Sequence, residues 1–173
     1  PSPYVAMASS EYASPQYAAF KAFDHTTTGA ANTFWASAAG GTQWLQLNFS
    51  MQTNVARYTI YPGDIAGGSP CNFTLSGSND GISWSTLNTQ TGITGWVTGT
   101  GKTFNFTNST TSYDRLRLTI TDNQAHDGSL YRVGEVYFYD WLPFPYTIPN
   151  STHTILVYNQ TDAGDWVVPT GVT

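Results

Sequence analysis

Three consecutive segments, "QWLQLNF" (43–49), "VARYTIY" (55–61) and "NFTLSGS" (72–78), alternate large apolar residues with polar ones. A period of two puts every second side chain on the same face, so each segment can bury one face as a strand, and none offers a helical stripe. "NDG" at 79–81 follows the third segment. Asn, Asp and Gly tolerate the positive φ that a tight hairpin turn demands, and "SWSTLNT" (83–89) resumes the strand. The pattern extends to "KTFNFT" (102–107), "YDRLRLTIT" (113–121) and "YRVGEVYFYD" (131–140). With about eight strands and no convincing amphipathic helix, the expectation is an all-β antiparallel sandwich.

Composition agrees: Thr, Tyr, Trp, Phe, Ser and Gly are abundant, whereas Glu, Lys and Leu, which usually fill helices, are scarce. A chain of 173 residues is long enough for one well-cored domain and a short piece of a second. The strands occupy residues 1–140. "WLPFPYTIPN" (141–150) holds three prolines, cannot be a central strand and reads as a linker. Residues 151–173 read as one or two strands, "DWVVPTGVT" being either a last strand of the first domain or the start of another.

The net charge of −5 with only six Lys and Arg leaves no basic stripe for nucleic acid or anionic lipid, and both partners are set aside. No apolar run has the length of a membrane span, no signal peptide is visible, and the chain begins without Met, so a piece of a larger protein is expected. Cys71, the only cysteine, cannot form an intrachain disulfide and reads as a small, half-buried apolar residue. Six Asn-x-Ser/Thr sequons, at Asn48, Asn72, Asn105, Asn108, Asn150 and Asn159, would suit a glycosylated extracellular protein. In a chain this rich in Asn, Ser and Thr, about half would arise by chance.

Two loops are too long for simple hairpins: "PGDIAGGSP" (62–70) and "DNQAHDGSLYR" (122–132). Long loops on a rigid scaffold often carry function. A third stretch, "AFDHTTTGAANTFW" (22–35), places one carboxylate and one imidazole among small hydroxyl and amide side chains. Calcium takes six to eight oxygens from carboxylates, carbonyls and hydroxyls, and this loop has that inventory. Glu135 is one of two glutamates and lies in an otherwise apolar strand, where an unpaired carboxylate would be unfavourable. Without a metal, Asp24 could cap an Asx turn and Glu135 could pair with Arg115, Arg117 or Arg132.

In order along the chain, "AFDHTTTGAANTFW", "QWLQLNF", "FTLSGSNDGISW", "YDRLRLTIT" and "GEVYFYD" resemble the discoidin, or coagulation factor V/VIII type C, domain, and within it the family 32 carbohydrate-binding modules. The resemblance covers residues 5–140 and implies a galactose-binding-like jelly-roll β-sandwich with ligand loops at one end. It also implies a structural calcium held by the side chains of Asp24, Thr33 and Glu135 and the carbonyls of Lys21, Thr26 and Gly134. The loop is longer than the usual Asp-Gly-Asn form and has His25 where a glycine often sits. Separately, "DWVVPTGVT" resembles the opening strand of the Gly-rich β domains at the ends of viral and phage fibres.

Sugar recognition needs an aromatic face and a few planar polar groups. Trp35, Trp44 and Trp84 are expected in the core, and Trp96 is less constrained. The candidate ligand residues are those that bracket the first long loop, Tyr61, Asp64 and Asn72, and those in or beside the second, His126, Asp127, Tyr131 and Arg132, with His25 a further possibility. A glycosidase needs two facing carboxylates, and with one of two glutamates assigned to the metal, no such pair stands out. There is no Gly-x-Ser-x-Gly elbow or phosphate-cradling Gly-rich loop. His126 beside Asp127 and Asp122 is the one acid–base cluster and reads as a solvated loop.

The expected function is that of a non-catalytic module that binds glycans, of galactose type by resemblance, within a larger secreted or surface-displayed protein. The alternative is a structural or adhesive domain of a virion or cell-surface fibre. Membrane binding, as in the clotting-factor relatives, does not suit the acidic balance.

Overall fold

Alternating sequence becomes strand along nearly its whole length. The computed structural model describes residues 4–107, 111–140, 146–147 and 154–155. The strands are β1 (Val5–Ala8), β2 (Trp35–Ala36), β3 (Gln43–Thr53), β4 (Val55–Pro62), β5 (Pro70–Ser78), β6 (Ser85–Gln90), β7 (Lys102–Asn105), β8 (Tyr113–Asn123) and β9 (Arg132–Asp140). Two short 3-10 turns, Ala19–Ala22 and Ala66–Gly68, are the only helical pieces among the described residues. β2, two residues long, carries no alternation by which it could be read.

The strands form a five-stranded sheet in the order β1-β3-β8-β5-β6 and a four-stranded sheet in the order β2-β9-β4-β7, all antiparallel. Leu45, Phe73, Leu75, Leu116, Leu118 and Ile120 of the first sheet share a core with Tyr58, Ile60, Phe104, Val133 and Val136 of the second. Phe73 meets Phe104 edge to face at 5.3 Å across the layers. Tyr58 stacks on Phe104 at 5.2 Å and satisfies its buried hydroxyl by donating to Asn88 Oδ1 at 2.8 Å. Burial of such side chains is worth roughly 1.5–3 kcal/mol apiece, which is what holds two twisted sheets face to face. The architecture is the expected jelly-roll β-sandwich.

Two of the tryptophans expected inside are not in the core. Leu45 and Leu47 take the inward positions of β3, so Trp44 faces outward, half-buried. Trp84, just before β6, is also half-buried. The Arg117 guanidinium lies 4.4 Å from one indole and 3.9 Å from the other, and donates twice to Gln46 Oε1. Conversely, Trp96 is buried, its indole N–H donating to the Pro70 carbonyl at 2.9 Å. Cys71 is fully rather than half buried.

The chain divides into two units, Pro1–Trp141 and Leu142–Thr173. In the second, β10 (Tyr146–Thr147) pairs antiparallel with β11 (Thr154–Ile155). Most of the expected linker (141–150) and of the C-terminal stretch (151–173), including all of "DWVVPTGVT", lies outside the described residues.

Candidate functional site

β9 runs beside β4 with Tyr61 opposite Glu135 and Pro62 opposite Val133, so Gly134 bulges out of the ladder. Any side chain there would put its Cβ 2.3 Å from the Pro62 carbonyl oxygen, a contact that only glycine avoids. Bulges of this kind re-aim the neighbouring side chain. Here the neighbour is Glu135, 1% exposed. Its Oε2 accepts the Thr26 N–H at 3.1 Å, and the same N–H reaches Asp24 Oδ1 at 3.0 Å. Asp24 thus makes the Asx turn considered for it as the alternative to a metal, while His25, at φ 65°, turns the chain back. Burial, then the nearby Asp24 carboxylate, push the Glu135 carboxyl up to about 7 from its ordinary 4.5, against the opposing pull of backbone N–H groups.

None of the ion pairs considered for Glu135 forms: Arg115 lies on Asp114 at 2.9 Å, Arg132 on Asp64 at 3.5 Å, and Arg117 on Gln46. Two carboxylates around one amide, one of them buried, make a set of hard oxygens whose repulsion a divalent cation would offset. The donor chemistry fits calcium. Thr33 donates its hydroxyl proton to the Ala30 carbonyl at 2.7 Å, and Lys21 lies in the first 3-10 turn with its ammonium 5.1 Å above the Phe20 ring. The structure therefore joins Asp24, Thr26 and Glu135 by hydrogen bonds and places Gly134 beside them. Asp24 and Glu135 also line a cavity of about 440 Å³ whose other walls include Tyr4, Phe20, Phe49 and Phe138.

The two long loops meet at one end of the sandwich. Gln124 N–H donates to the Ser69 carbonyl at 2.9 Å, Ala125 N–H donates to Gly67 at 3.0 Å, and Trp96 N–H donates to Gln124 Oε1 at 3.0 Å. Arg132 closes over Gly63 together with Phe34: a Cβ on Gly63 would come within 2.9 Å of Arg132 Cβ and 3.2 Å of the Phe34 ring. The Phe34 ring packs on half-buried Tyr17 at 4.8 Å, and Tyr17 packs on exposed Tyr12 at 5.9 Å. This aromatic run beside the Asp64–Arg132 pair was not read from the sequence. "EYASPQY" has no strand periodicity that would have marked it.

The other candidates are placed as follows. Asn72 accepts the Gly92 N–H at 2.8 Å and donates to Asp122 Oδ2 at 3.4 Å. Asp127 is exposed, and the Ser129 and Asn123 side chains, with the Ser129 N–H, hold its carboxyl down to about 2. His126 rests its Nδ1 on Asp122 Oδ2. Tyr61 instead packs against Tyr137 at 5.9 Å, and His25 lies 5.5 Å from the same ring. Tyr131 must be removed from the ligand candidates: it is 2% exposed and its hydroxyl donates to the Gly41 carbonyl at 2.6 Å, so it is a core residue with its polar atom satisfied.

The family model of the F5/8 type C domain matches residues 5–133. No curated protein matches by sequence. Among solved structures, the chain is similar to chitosan-binding module 1 of a chitosanase/glucanase from Paenibacillus sp. IK-5, at 27% identity and TM-score 0.60, covering 79% of this chain and 95% of that one. It is also similar to the family 32 module of Clostridium perfringens NanJ in complex with galactose, at 20% identity and TM-score 0.62, covering 79% and 93%. A third, CpGH89CBM32-5 from Clostridium perfringens in complex with GalNAc-beta-1,3-galactose, has 19% identity and TM-score 0.64, covering 79% and 94%. The last two likenesses bear on the fold.

Proposed function

The chain belongs to the F5/8 type C domain family, and from that membership and the loop geometry we propose that it is a non-catalytic carbohydrate-binding module stapled by calcium. The observation that carries the reading is the convergence of the Asp64–Arg132 pair and the Tyr12–Tyr17–Phe34 run at the loop end of the sandwich. A planar guanidinium and a carboxylate supply directional partners for vicinal hydroxyls, and a tyrosine ring supplies a face for the apolar side of a pyranose. Asn72, His126 and Asp127 add polar groups on the adjoining loops. The solved structures that bind galactose, GalNAc-beta-1,3-galactose and chitosan support a sugar as the ligand class.

Calcium would be held by Asp24 and Glu135, with the Thr33 hydroxyl and the carbonyls of Lys21, Thr26 and Gly134 completing the shell. It would tie the loop after the first 3-10 turn to β9, a structural rather than chemical task. A domain of this kind acts in a secreted or surface-displayed protein. A glycan array on the chain in calcium, repeated after chelation and with Arg132→Ala and Tyr17→Ala, tests the reading. Binding lost in variants that still melt cooperatively supports it. No binding by a folded, calcium-loaded chain overturns it and favours a fibre domain whose partners are other protein chains.

A further inference from the structure

On the loop side of β5, three donors of different chemistry meet. The Sγ of Cys71, a ring nitrogen of His126 and a carboxylate oxygen of Asp122 all lie within 4.8 Å of one another. Asp122 Oδ2 takes His126 Nδ1, which fixes the proton on that nitrogen and leaves the Nε2 lone pair facing Cys71 Sγ at 3.8 Å. The carboxylate is itself held, its Oδ2 by Asn72 Nδ2 at 3.4 Å and its Oδ1 by the Asn123 N–H at 2.9 Å. The thiol is wholly buried, whereas the imidazole is 57% exposed and the carboxylate 29%.

We propose that Cys71 and His126, with Asp122 orienting the imidazole, bind a borderline divalent transition ion of the zinc class. A tetrahedral ion with a metal–sulfur bond of about 2.3 Å and a metal–nitrogen bond of about 2.05 Å sets those two atoms about 3.6 Å apart. The observed 3.8 Å needs only a small closure. A carboxylate on the far nitrogen of a ligating histidine is the arrangement that fixes tautomer and ring orientation at metal sites. One thiolate and one carboxylate balance the two positive charges, the thiol proton leaving to solvent as the bond to sulfur forms. The exposed side of the imidazole leaves the remaining positions to water.

Ser69 and Asn123, close to Cys71 and Asp122 along the chain, each carry a polar atom with spare capacity. Ser69 Oγ and Asn123 Oδ1 are buried and have no hydrogen-bond partner among the described residues, the kind of exception for which a bound water or ion is a common cause. A thioether-free sulfur and nitrogen pair does not suit calcium, which takes oxygens. The proposal is thus independent of the calcium staple, and it takes as a metal ligand His126, one of the polar groups offered to glycan.

The test is a cobalt titration of the full chain with calcium in excess. The expected result is a thiolate-to-cobalt charge-transfer band saturating at one equivalent and displaced by zinc. It disappears in Cys71→Ser and in Cys71→Ala, and its affinity falls roughly 10–100-fold in an Asp122→Asn chain that still melts cooperatively. Zinc should also raise the melting temperature of the natural chain and leave that of His126→Ala unmoved. A folded natural chain that gives no charge-transfer band overturns the site, as does a band of unchanged affinity in His126→Ala.

Discussion

Asp24 and Glu135, from opposite ends of the sandwich's sequence, accept the same proton: the Thr26 N–H lies 3.0 Å from Asp24 Oδ1 and 3.1 Å from Glu135 Oε2. One N–H cannot neutralise two carboxylates, and Glu135 is almost fully out of water. A metal-free chain must hold a proton or a charge penalty there.

Calcium should therefore stabilise the fold. At a hundredfold excess over Kd, linkage predicts about 2.7 kcal/mol, read as a rise of several degrees in melting temperature by calorimetry. Glu135→Gln should melt at one temperature with calcium or with chelator. A calcium-dependent melt that survives this change would place the ion elsewhere.

Without calcium, the same residue gives a pH dependence of definite sign. The folded carboxyl binds its proton up to about pH 7, against 4.5 for the ordinary group, so between those values the native state holds more protons than the unfolded one. Stability is then fully present below pH 4.5 and is lost as pH rises through 7, by on the order of 3 kcal/mol. In chelator, the stability difference between Glu135→Gln and the natural chain should widen over that window. A difference flat with pH would show that Glu135 ionises normally.

Arg132→Lys keeps the charge and most of the aliphatic stem but removes the planar fork. Glycan affinity should fall tenfold or more by calorimetric titration while the melting temperature stays within about 2 °C. Equal affinity would move the sugar away from the Asp64–Arg132 pair.

Tyr131→Phe deletes the hydroxyl that donates to Gly41. Loss of this one hydrogen bond, whose acceptor sits on an exposed glycine, should reduce stability by about 0.5–1.5 kcal/mol in denaturant unfolding. Sugar binding should be unchanged. A selective loss of binding would return Tyr131 to the site.

Strand content was legible because it depends on short-range facts. Alternation in "VARYTIY" and turn chemistry in "NDG" act within a few residues, and β4 and the β5–β6 hairpin follow from them. The phase of that alternation was less legible: parity counted from Trp44 put its indole inside, whereas Leu45 and Leu47 take the inward positions of β3. The loops marked by their length, 62–70 and 122–132, do meet at one end.

Pairings between distant residues were not legible. Nothing local says that Thr26 will stand between Asp24 and Glu135, that Arg117 will lie between two indoles, or that Tyr17 will pack on Phe34 beside Gly63. Sequence by itself determined which residues alternate, where the chain turns and which loops are too long for hairpins, since those preferences belong to single residues and their neighbours. Tertiary structure alone decided which carboxylates share a proton, which aromatics are buried and which side chains face one another, because sheet order and the Gly134 bulge set those distances.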